Sequence, residues 1–246
     1  MEIEVNGKKI FLRSEKDGDF FFIHGAGCTS EIWKKQLREV GGFAIDLPNH
    51  GQSEDFEINS VEDYAKVVKD VIEKLNKEFI VVGHSMGGAI AQALAKSNGV
   101  KGLVLLSTGA KLKVNPKLLE GLRNNFEGMV EKLVGWMFSK SYEGKRDREF
   151  VKNMILGCGK DVVVKDFEIC DKFDYTQDYE AGLKFNCEVL IAVGSDDVMT
   201  PVENSEYLRD KLNAKIAVIN NSGHMVMLEK WKELNKILKE FSESFS

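Results

Sequence analysis

Short apolar runs alternate with amphipathic stretches along most of the chain. Two strand candidates, residues 2–5 and 8–14, come first, and apolar runs follow at 19–25, 41–48, 78–85, 100–108, 187–195 and 214–220. Apolar residues recur at helical spacing between these runs, as in the face from Tyr64 to Leu75 and the stripe from Met227 to Phe245. Strands that are apolar throughout and alternate with helices are typical of a mostly parallel sheet covered on both faces. The pattern therefore predicts an α/β fold with a doubly wound, mostly parallel sheet.

One segment breaks this alternation. From about 111 to 185 the sequence has no convincing strand pattern, and apolar residues recur at helical spacing instead. A helical insertion between two strands of a sheet predicts a cap over the edge of that sheet. We therefore expect a core built from residues 1–110 and 186–246, with a helical cap inserted at 111–185. Its larger apolar residues either pack within the cap or line an apolar pocket. These residues are Phe126, Met129, Trp136, Met137 and Phe138.

Composition and charge limit which binding partners and which cellular compartment we expect for this protein. The net charge of −5 gives nucleic-acid binding no electrostatic support at the level of the whole chain. No apolar run approaches the roughly 18 residues that a membrane-spanning helix needs, and the first residues lack the basic start and apolar core of a secretory signal. We therefore expect a cytoplasmic protein with no transmembrane segment. The four cysteines are widely spaced and form no C-x-x-C pair, which argues against a zinc site and a disulfide framework.

The stretch VVGHSMGGAI, residues 81–90, places Ser85 among three glycines. An apolar strand candidate precedes the serine and an alanine-rich helix candidate follows it. Gly83 and Gly87 stand two residues before and two after it. This strand–turn–helix context is typical of a nucleophile elbow, in which the serine hydroxyl is exposed on a tight turn. The alternative is a glycine-rich turn in which the serine is only structural.

A nucleophilic serine needs a base that a carboxylate orients, and both residue types stand at the ends of later strands. The run VLIAVGSDD ends in Asp196 and Asp197, and the run IAVINNSGH ends in His224. Because the carboxyl ends of parallel strands meet at one edge of a sheet, we expect Ser85, one of the two aspartates and His224 to lie together. Their order along the chain, serine then aspartate then histidine, is the order of a G-x-S-x-G hydrolase.

Five segments carry a resemblance to a known family. HGAG (24–27), DLPNHGQS (46–53), GHSMGG (83–88), GSDDVMTP (194–201) and SGH (222–224) resemble, in this order, the markers of the α/β-hydrolase superfamily. HGAG and GHSMGG together resemble its monoacylglycerol lipase and carboxylesterase branch. In the pattern G-x-x-D-x-x-x-P the resemblance implies Asp197, rather than Asp196, as the triad acid. It also implies an oxyanion hole made by the backbone N–H groups of Ala26 and Met86.

The remaining histidines have supporting roles in this interpretation. We expect His24 to hold the oxyanion loop by hydrogen bonding, His50 to stabilise a turn, and His84 to pack or hydrogen-bond behind the elbow.

The resemblance implies a serine hydrolase of the α/β-hydrolase fold that cleaves carboxylic esters through an acyl-enzyme. The expected substrate is a small-molecule ester with an apolar acyl group, either a short- to medium-chain acyl ester or a monoacylglycerol. No metal or organic cofactor is expected. Two alternatives stay open: the same machinery acting on a thioester, a lactone or a carbon–carbon bond, or in haloperoxidase-like perhydrolysis; and a ligand receptor built on a hydrolase fold. The oligomeric state is open as well.

Overall fold

Eight strands form one sheet within residues 1–245, the part of the chain that the computed structural model describes. They are β1 (Glu2–Val5), β2 (Lys8–Arg13), β3 (Phe20–Ile23), β4 (Phe43–Ile45), β5 (Phe79–His84), β6 (Val100–Leu106), β7 (Glu188–Gly194) and β8 (Lys215–Ile219). Their order across the sheet is β1-β2-β4-β3-β5-β6-β7-β8. The pairs β1–β2 and β2–β4 are antiparallel, and every pair from β4 to β8 is parallel. The predicted mostly parallel sheet is therefore confirmed.

The antiparallel edge begins with a two-residue hairpin. Asn6 and Gly7 connect β1 to β2 with φ values of 52° and 77°. A turn with two positive φ values matches the twist of the flanking strands, and asparagine followed by glycine is its preferred sequence.

Eleven α-helices accompany the sheet within the described residues. They are α1 (Lys34–Glu39), α2 (Val61–Leu75), α3 (Met86–Leu94), α4 (Pro116–Asn124), α5 (Phe126–Met137), α6 (Lys145–Cys158), α7 (Lys160–Lys172), α8 (Thr176–Glu180), α9 (Val202–Leu212), α10 (Val226–Glu229) and α11 (Trp231–Ser242). Helix α2 packs on α3, and α1 packs on α11. Every residue of β3 and β5 is buried, so both faces of the central strands are covered. None of the helices in residues 1–245 combines the length and apolar character needed to cross a membrane.

The helical insertion consists of α4 to α8, which lie between β6 and β7. Local sequence explains its helix boundaries. Asn115 caps α4 by accepting the Lys117 N–H at 2.9 Å, and Pro116 occupies the first helical turn, where its missing N–H costs nothing. Gly159, with a φ of 84°, separates α6 from α7. The limits of the cap at residues 111 and 185 remain a prediction.

Two elements are shorter than the apolar pattern predicts. The run 41–48 forms only the three residues of β4. The chain leaves the sheet at Asp46, whose carboxylate accepts the backbone N–H groups of Ser30 at 2.7 Å and Gln52 at 2.9 Å. The predicted helix 30–40 begins as a 3-10 turn, Ser30–Trp33, before it continues as α1. In both places a side chain or a tight turn competes with regular backbone hydrogen bonding.

Candidate active site

Ser85 lies on a strained turn between β5 and α3. Its φ and ψ are 54° and −115°, a backbone conformation that is costly for a residue with a side chain. The turn leaves no room for side chains beside the serine. A Cβ on Gly83 would lie 2.2 Å from the Gly87 carbonyl oxygen, and a Cβ on Gly87 would lie 2.4 Å from the Ile23 carbonyl oxygen. The Thr108 hydroxyl donates to the Ser85 carbonyl at 2.8 Å and holds the turn from the segment that follows β6.

Asp197 and His224 form a buried pair at the same end of the sheet. Asp197 Oδ2 lies 2.9 Å from His224 Nδ1, and both residues are less than 5% exposed, at 4% and 2%. Asp197 Oδ1 accepts the backbone N–H groups of Met199 and Thr200, each at 2.9 Å, and Oδ2 accepts the Thr200 hydroxyl at 2.9 Å. Burial opposes the carboxylate charge, but His224 and these donors hold the pKa of Asp197 below its ordinary value.

His84 connects the elbow to the histidine loop. Its Nε2 lies 3.0 Å from the His224 carbonyl oxygen, and because a carbonyl only accepts, Nε2 carries the proton. The rings of His84 and His224 lie 4.6 Å apart between centroids. Burial, with the neighbouring His224, lowers the pKa of His84 well below its ordinary value, so the ring is neutral. Within residues 1–245 the Ser85 hydroxyl makes no hydrogen bond to the His224 ring, and such contacts often tighten only with substrate.

A buried glutamate holds the histidine loop against the end of α5. Glu229 accepts the Gly223 N–H at 3.0 Å and 3.1 Å and the Ser139 N–H at 2.9 Å. The His224 N–H donates to the Met137 carbonyl at 2.8 Å. Burial raises the pKa of Glu229 above its ordinary value despite these donors. The backbone on both sides of His224 is therefore fixed by the helical insertion and by α10.

Asp196 points away from the histidine. It is exposed, and its carboxylate accepts the Ser139 hydroxyl at 2.6 Å and the Ser195 hydroxyl at 2.9 Å. These two hydroxyls lower the pKa of Asp196. The structure thus places Asp197, and not Asp196, beside His224.

Two backbone amides near Ser85 are free of protein partners. Among the hydrogen bonds of residues 1–245, none uses the N–H of Ala26 or of Met86. Met86 is the first residue of α3, so its N–H lies at the positive end of the helix. The neighbouring Gly27 N–H is instead bound to Asp166 Oδ2 at 2.8 Å. Both predicted oxyanion amides are thus available to an acceptor.

His24 holds the loop that contains Ala26 through hydrogen bonds, as the sequence predicted. The Leu47 N–H donates to His24 Nε2 at 3.0 Å, so Nδ1 carries the proton and donates to the Gly25 carbonyl at 2.8 Å. Burial, together with the charge of the nearby His50, lowers the pKa of His24 to about 4. The ring is therefore neutral.

Ser85 lines a cavity of about 520 Å³. Apolar side chains from the insertion and from the loop after β7 make up much of its wall: Leu112, Val114, Leu118, Trp136, Phe167, Val198 and Met199. Lys111, Lys113 and Asn115 contribute polar groups. Of the five insertion residues named as pocket candidates from sequence, only Trp136 lines this cavity. No group of three or more His, Cys, Asp or Glu side chains in residues 1–245 is arranged to hold a metal ion.

Sequence reasoning missed three residues that support the site: Asp166, Thr200 and Glu229. Thr200 lies three residues after Asp197 within GSDDVMTP, so its motif contained the signal. Asp166 and Glu229 each stand in a helix with no motif around them, and only the fold brings them to their backbone partners.

The sequence and the fold both match known proteins. A model of the alpha/beta hydrolase family matches residues 20–237. The solved structure of a thermophilic esterase is 38% identical, with a TM-score of 0.94, and the match covers 99% of this chain and 97% of that one. A Mycoplasma pneumoniae protein, whose name assigns it provisionally to the esterases and lipases, is 27% identical over 242 residues, covering 87% of this chain and 85% of its own.

A more distant structure shares the fold alone. An N-acyl homoserine lactone degrading enzyme is 24% identical, with a TM-score of 0.83, over 98% of this chain and 100% of that one. Because one fold can host different activities, the substrate of a chain has to be argued from its site rather than from its fold.

Proposed function

Because the chain belongs to the α/β-hydrolase family and is a carboxylic-ester hydrolase, we propose that it works through a triad of Ser85, His224 and Asp197 and an acyl-enzyme on Ser85. Its substrates are small-molecule esters. The single observation that supports the triad is the buried Asp197–His224 pair. His84, the residue before Ser85, holds this pair by hydrogen bonding to the His224 carbonyl, and Ser85 itself has a φ of 54° and lines the cavity.

In the proposed reaction the Ser85 hydroxyl oxygen attacks the ester carbonyl while His224 Nε2 takes the hydroxyl proton. Asp197 accepts a hydrogen bond from the protonated Nδ1 of His224, which keeps Nε2 free to act as the base, and its charge then stabilises the imidazolium. The amides of Ala26 and Met86 bind the negative carbonyl oxygen. His224 returns the proton to the leaving alcohol. A water molecule, activated by the same ring, then releases the acid from Ser85.

The proposed substrate is a short- to medium-chain acyl ester or a monoacylglycerol. The apolar walls of the cavity favour an apolar acyl group over a charged one. Leu118, Trp136 and Phe167 come from the insertion, whereas Ser85 and Thr200 come from the core. We therefore propose that residues 111–185 act as the cap that shapes the acyl pocket.

Labelling with a fluorophosphonate probe, followed by peptide mapping, tests the nucleophile. The label is expected on Ser85, and Ser85→Ala should abolish both labelling and hydrolysis, with a loss of about 10⁶ in kcat. Ser107→Ala is the matched control because Ser107 also has a positive φ, 47°, and directly follows the neighbouring strand β6. This control should keep its label. A label on another serine, or none on active protein, would refute the proposed nucleophile.

A series of p-nitrophenyl esters, from acetate to dodecanoate, tests the substrate class. We expect kcat/KM to peak at short or medium chains and to fall for the longest ones. A rate that is equal for all chain lengths would contradict an acyl pocket formed by the cavity. Absence of turnover on every ester, with Ser85 still labelled, would leave the nucleophile in place but refute the proposed substrates.

A further inference from the structure

Asp166 is a fully buried carboxylate that joins the helical insertion to three separate segments of the core. It lies in α7 with 0% exposure. Its Oδ2 accepts the Gly27 N–H and lies 2.8 Å from both this nitrogen and His50 Nε2. Its Oδ1 accepts the Tyr64 hydroxyl at 2.8 Å. Gly27 follows β3, His50 follows β4 and Tyr64 belongs to α2. One side chain therefore connects elements that are distant in sequence.

The hydrogen bonds fix the proton of His50. Its Nδ1 lies 2.8 Å from the Pro48 carbonyl oxygen, which only accepts, so Nδ1 carries a proton. Nε2 faces Asp166. When Nε2 carries a proton as well, His50 is an imidazolium and Asp166 is a carboxylate. Burial opposes both charges, yet the pKa of His50 is raised and that of Asp166 is lowered by their mutual attraction and hydrogen bond. A buried carboxylate is tolerated because every donor around it is used.

Gly27 is held on both sides by the insertion. Its N–H is bound by Asp166, and its carbonyl accepts the Cys158 thiol at 3.3 Å. The residue has a φ of 64°, and a Cβ there would lie 3.2 Å from Val163 Cγ2 and 3.5 Å from Ile155 Cγ2. The loop that contains Ala26 therefore rests directly on α6 and α7. Its conformation depends on contacts that the insertion supplies.

We propose that Asp166 is a positioning residue: by holding the Gly27 N–H it fixes the peptide that follows Ala26, and so keeps the Ala26 amide aimed at the oxyanion. This role rests on the proposed function of Ala26. An oxyanion donor acts mainly in the transition state, so its misplacement lowers kcat more than it raises KM. A side chain that only stabilised the fold would lower the melting temperature without this selective effect on kcat.

Four variants separate loop positioning from general stability. Asp166→Asn keeps one acceptor oxygen but loses the charge, whereas Asp166→Ala loses every acceptor. Tyr64→Phe removes one partner of Asp166 and leaves the Gly27 hydrogen bond intact. Asp161→Asn is the matched control, since Asp161 is an exposed aspartate of the same helix. Asp166→Asn is the informative variant if Asp166→Ala fails to fold.

The first measurement is amide hydrogen exchange at Gly27, followed by NMR on isotope-labelled protein. We expect exchange at Gly27 to be about tenfold faster in Asp166→Asn, faster still in Asp166→Ala, and unchanged in Tyr64→Phe and Asp161→Asn. Exchange at native rate in folded Asp166→Asn would overturn the proposal. This measurement does not depend on catalysis, so it is separable from a failure of the proposed function, which the position of the fluorophosphonate label reports.

The second measurement is steady-state ester hydrolysis by the same variants. We expect Asp166→Asn to lower kcat about tenfold with KM within about twofold of native, and we expect Tyr64→Phe to keep native kcat even where its melting temperature falls. Equal losses of kcat in Tyr64→Phe and Asp166→Asn, at equal losses of melting temperature, would reduce Asp166 to a structural role and refute the proposal.

Discussion

The Asp197→Asn variant tests the proposed triad at the atom that sets the histidine tautomer. Asp197 Oδ1 accepts the N–H groups of Met199 and Thr200, each at 2.9 Å, so the oxygen of an asparagine amide must take this position. The amide NH₂ group then faces His224 Nδ1, where Oδ2 lies 2.9 Å away in the native protein. Because NH₂ only donates, Nδ1 must give up its proton and Nε2 must carry one.

This tautomer cannot take the proton of the Ser85 hydroxyl. The expected loss of kcat is about 10⁴-fold, which corresponds to about 5 kcal/mol in the barrier. KM should stay within about twofold, because Asp197 is buried and does not line the cavity. The Thr200 hydroxyl can rotate so that its oxygen accepts from the new amide, so we expect the fold to persist. Steady-state hydrolysis of p-nitrophenyl butyrate, with a thermal melt of each variant, measures both quantities.

Asp196→Asn is the matched control for this prediction. Asp196 precedes Asp197 in the chain but is exposed, and its carboxylate accepts the hydroxyls of Ser139 and Ser195 rather than facing His224. Its substitution should change kcat by less than about threefold, as for a surface position. A large loss of kcat in Asp196→Asn, together with a nearly native kcat in Asp197→Asn, would refute Asp197 as the triad acid. It would also refute the argument about the histidine tautomer.

Glu229→Gln, Gly87→Ala and the pH dependence of unfolding test other contacts of the fold. In Glu229→Gln, one oxygen that accepts the backbone N–H groups of the histidine loop becomes an NH₂ donor. The free energy of unfolding in urea should therefore fall by about 1–3 kcal/mol, and kcat should fall as well. An unchanged urea midpoint would contradict this prediction. A Cβ on Gly87 would lie 2.4 Å from the Ile23 carbonyl oxygen, so Gly87→Ala should lower the free energy of unfolding in urea by about 1–3 kcal/mol or more, and native stability would refute the close approach. The fold holds the pKa of Asp166 below its ordinary 3.8 and that of His50 above its ordinary 6.5, so the pair stabilises most between about pH 4 and 6.5 and less on either side. The unfolding free energy of the native protein minus that of Asp166→Asn should therefore peak inside that window, and a difference that stays flat from about pH 3 to 9 would contradict the pair.

Local patterns predicted the parts of the molecule that depend on neighbouring residues. The fold class, an α/β-hydrolase fold with a mostly parallel sheet and a helical cap insertion, is confirmed by the structure and by the family match. Membership of the superfamily and ester hydrolysis are confirmed as well. Ser85 and His224 each follow an apolar run, so periodicity placed them at strand ends before the structure did. The roles proposed for them, and the cytoplasmic location, remain predictions.

Contacts between distant segments were beyond the reach of sequence patterns. Gly27 and Asp166 are separated by 139 positions, and Ser139 and Glu229 by 90, so no local spacing relates them. A buried carboxylate also leaves no distinct sequence signal, because an acidic residue in an amphipathic helix is expected on its solvated face. His50 was predicted to be a turn residue, and only the packing of α7 gives it a charged partner.

From the two long-range carboxylate contacts we infer that the helical insertion does more than cover the proposed site. The end of α5 holds the histidine loop through the Met137 carbonyl and the Ser139 N–H, while α7 holds the loop that contains Ala26 through Asp166. A cover that only enclosed the acyl chain would affect substrate binding, and its substitutions would appear in KM. Here the insertion contacts the backbone beside the proposed base, His224, and beside the proposed oxyanion amide of Ala26. Substitutions at these contacts should therefore lower kcat, whereas substitutions of cavity-lining residues such as Phe167 should change the preference for chain length.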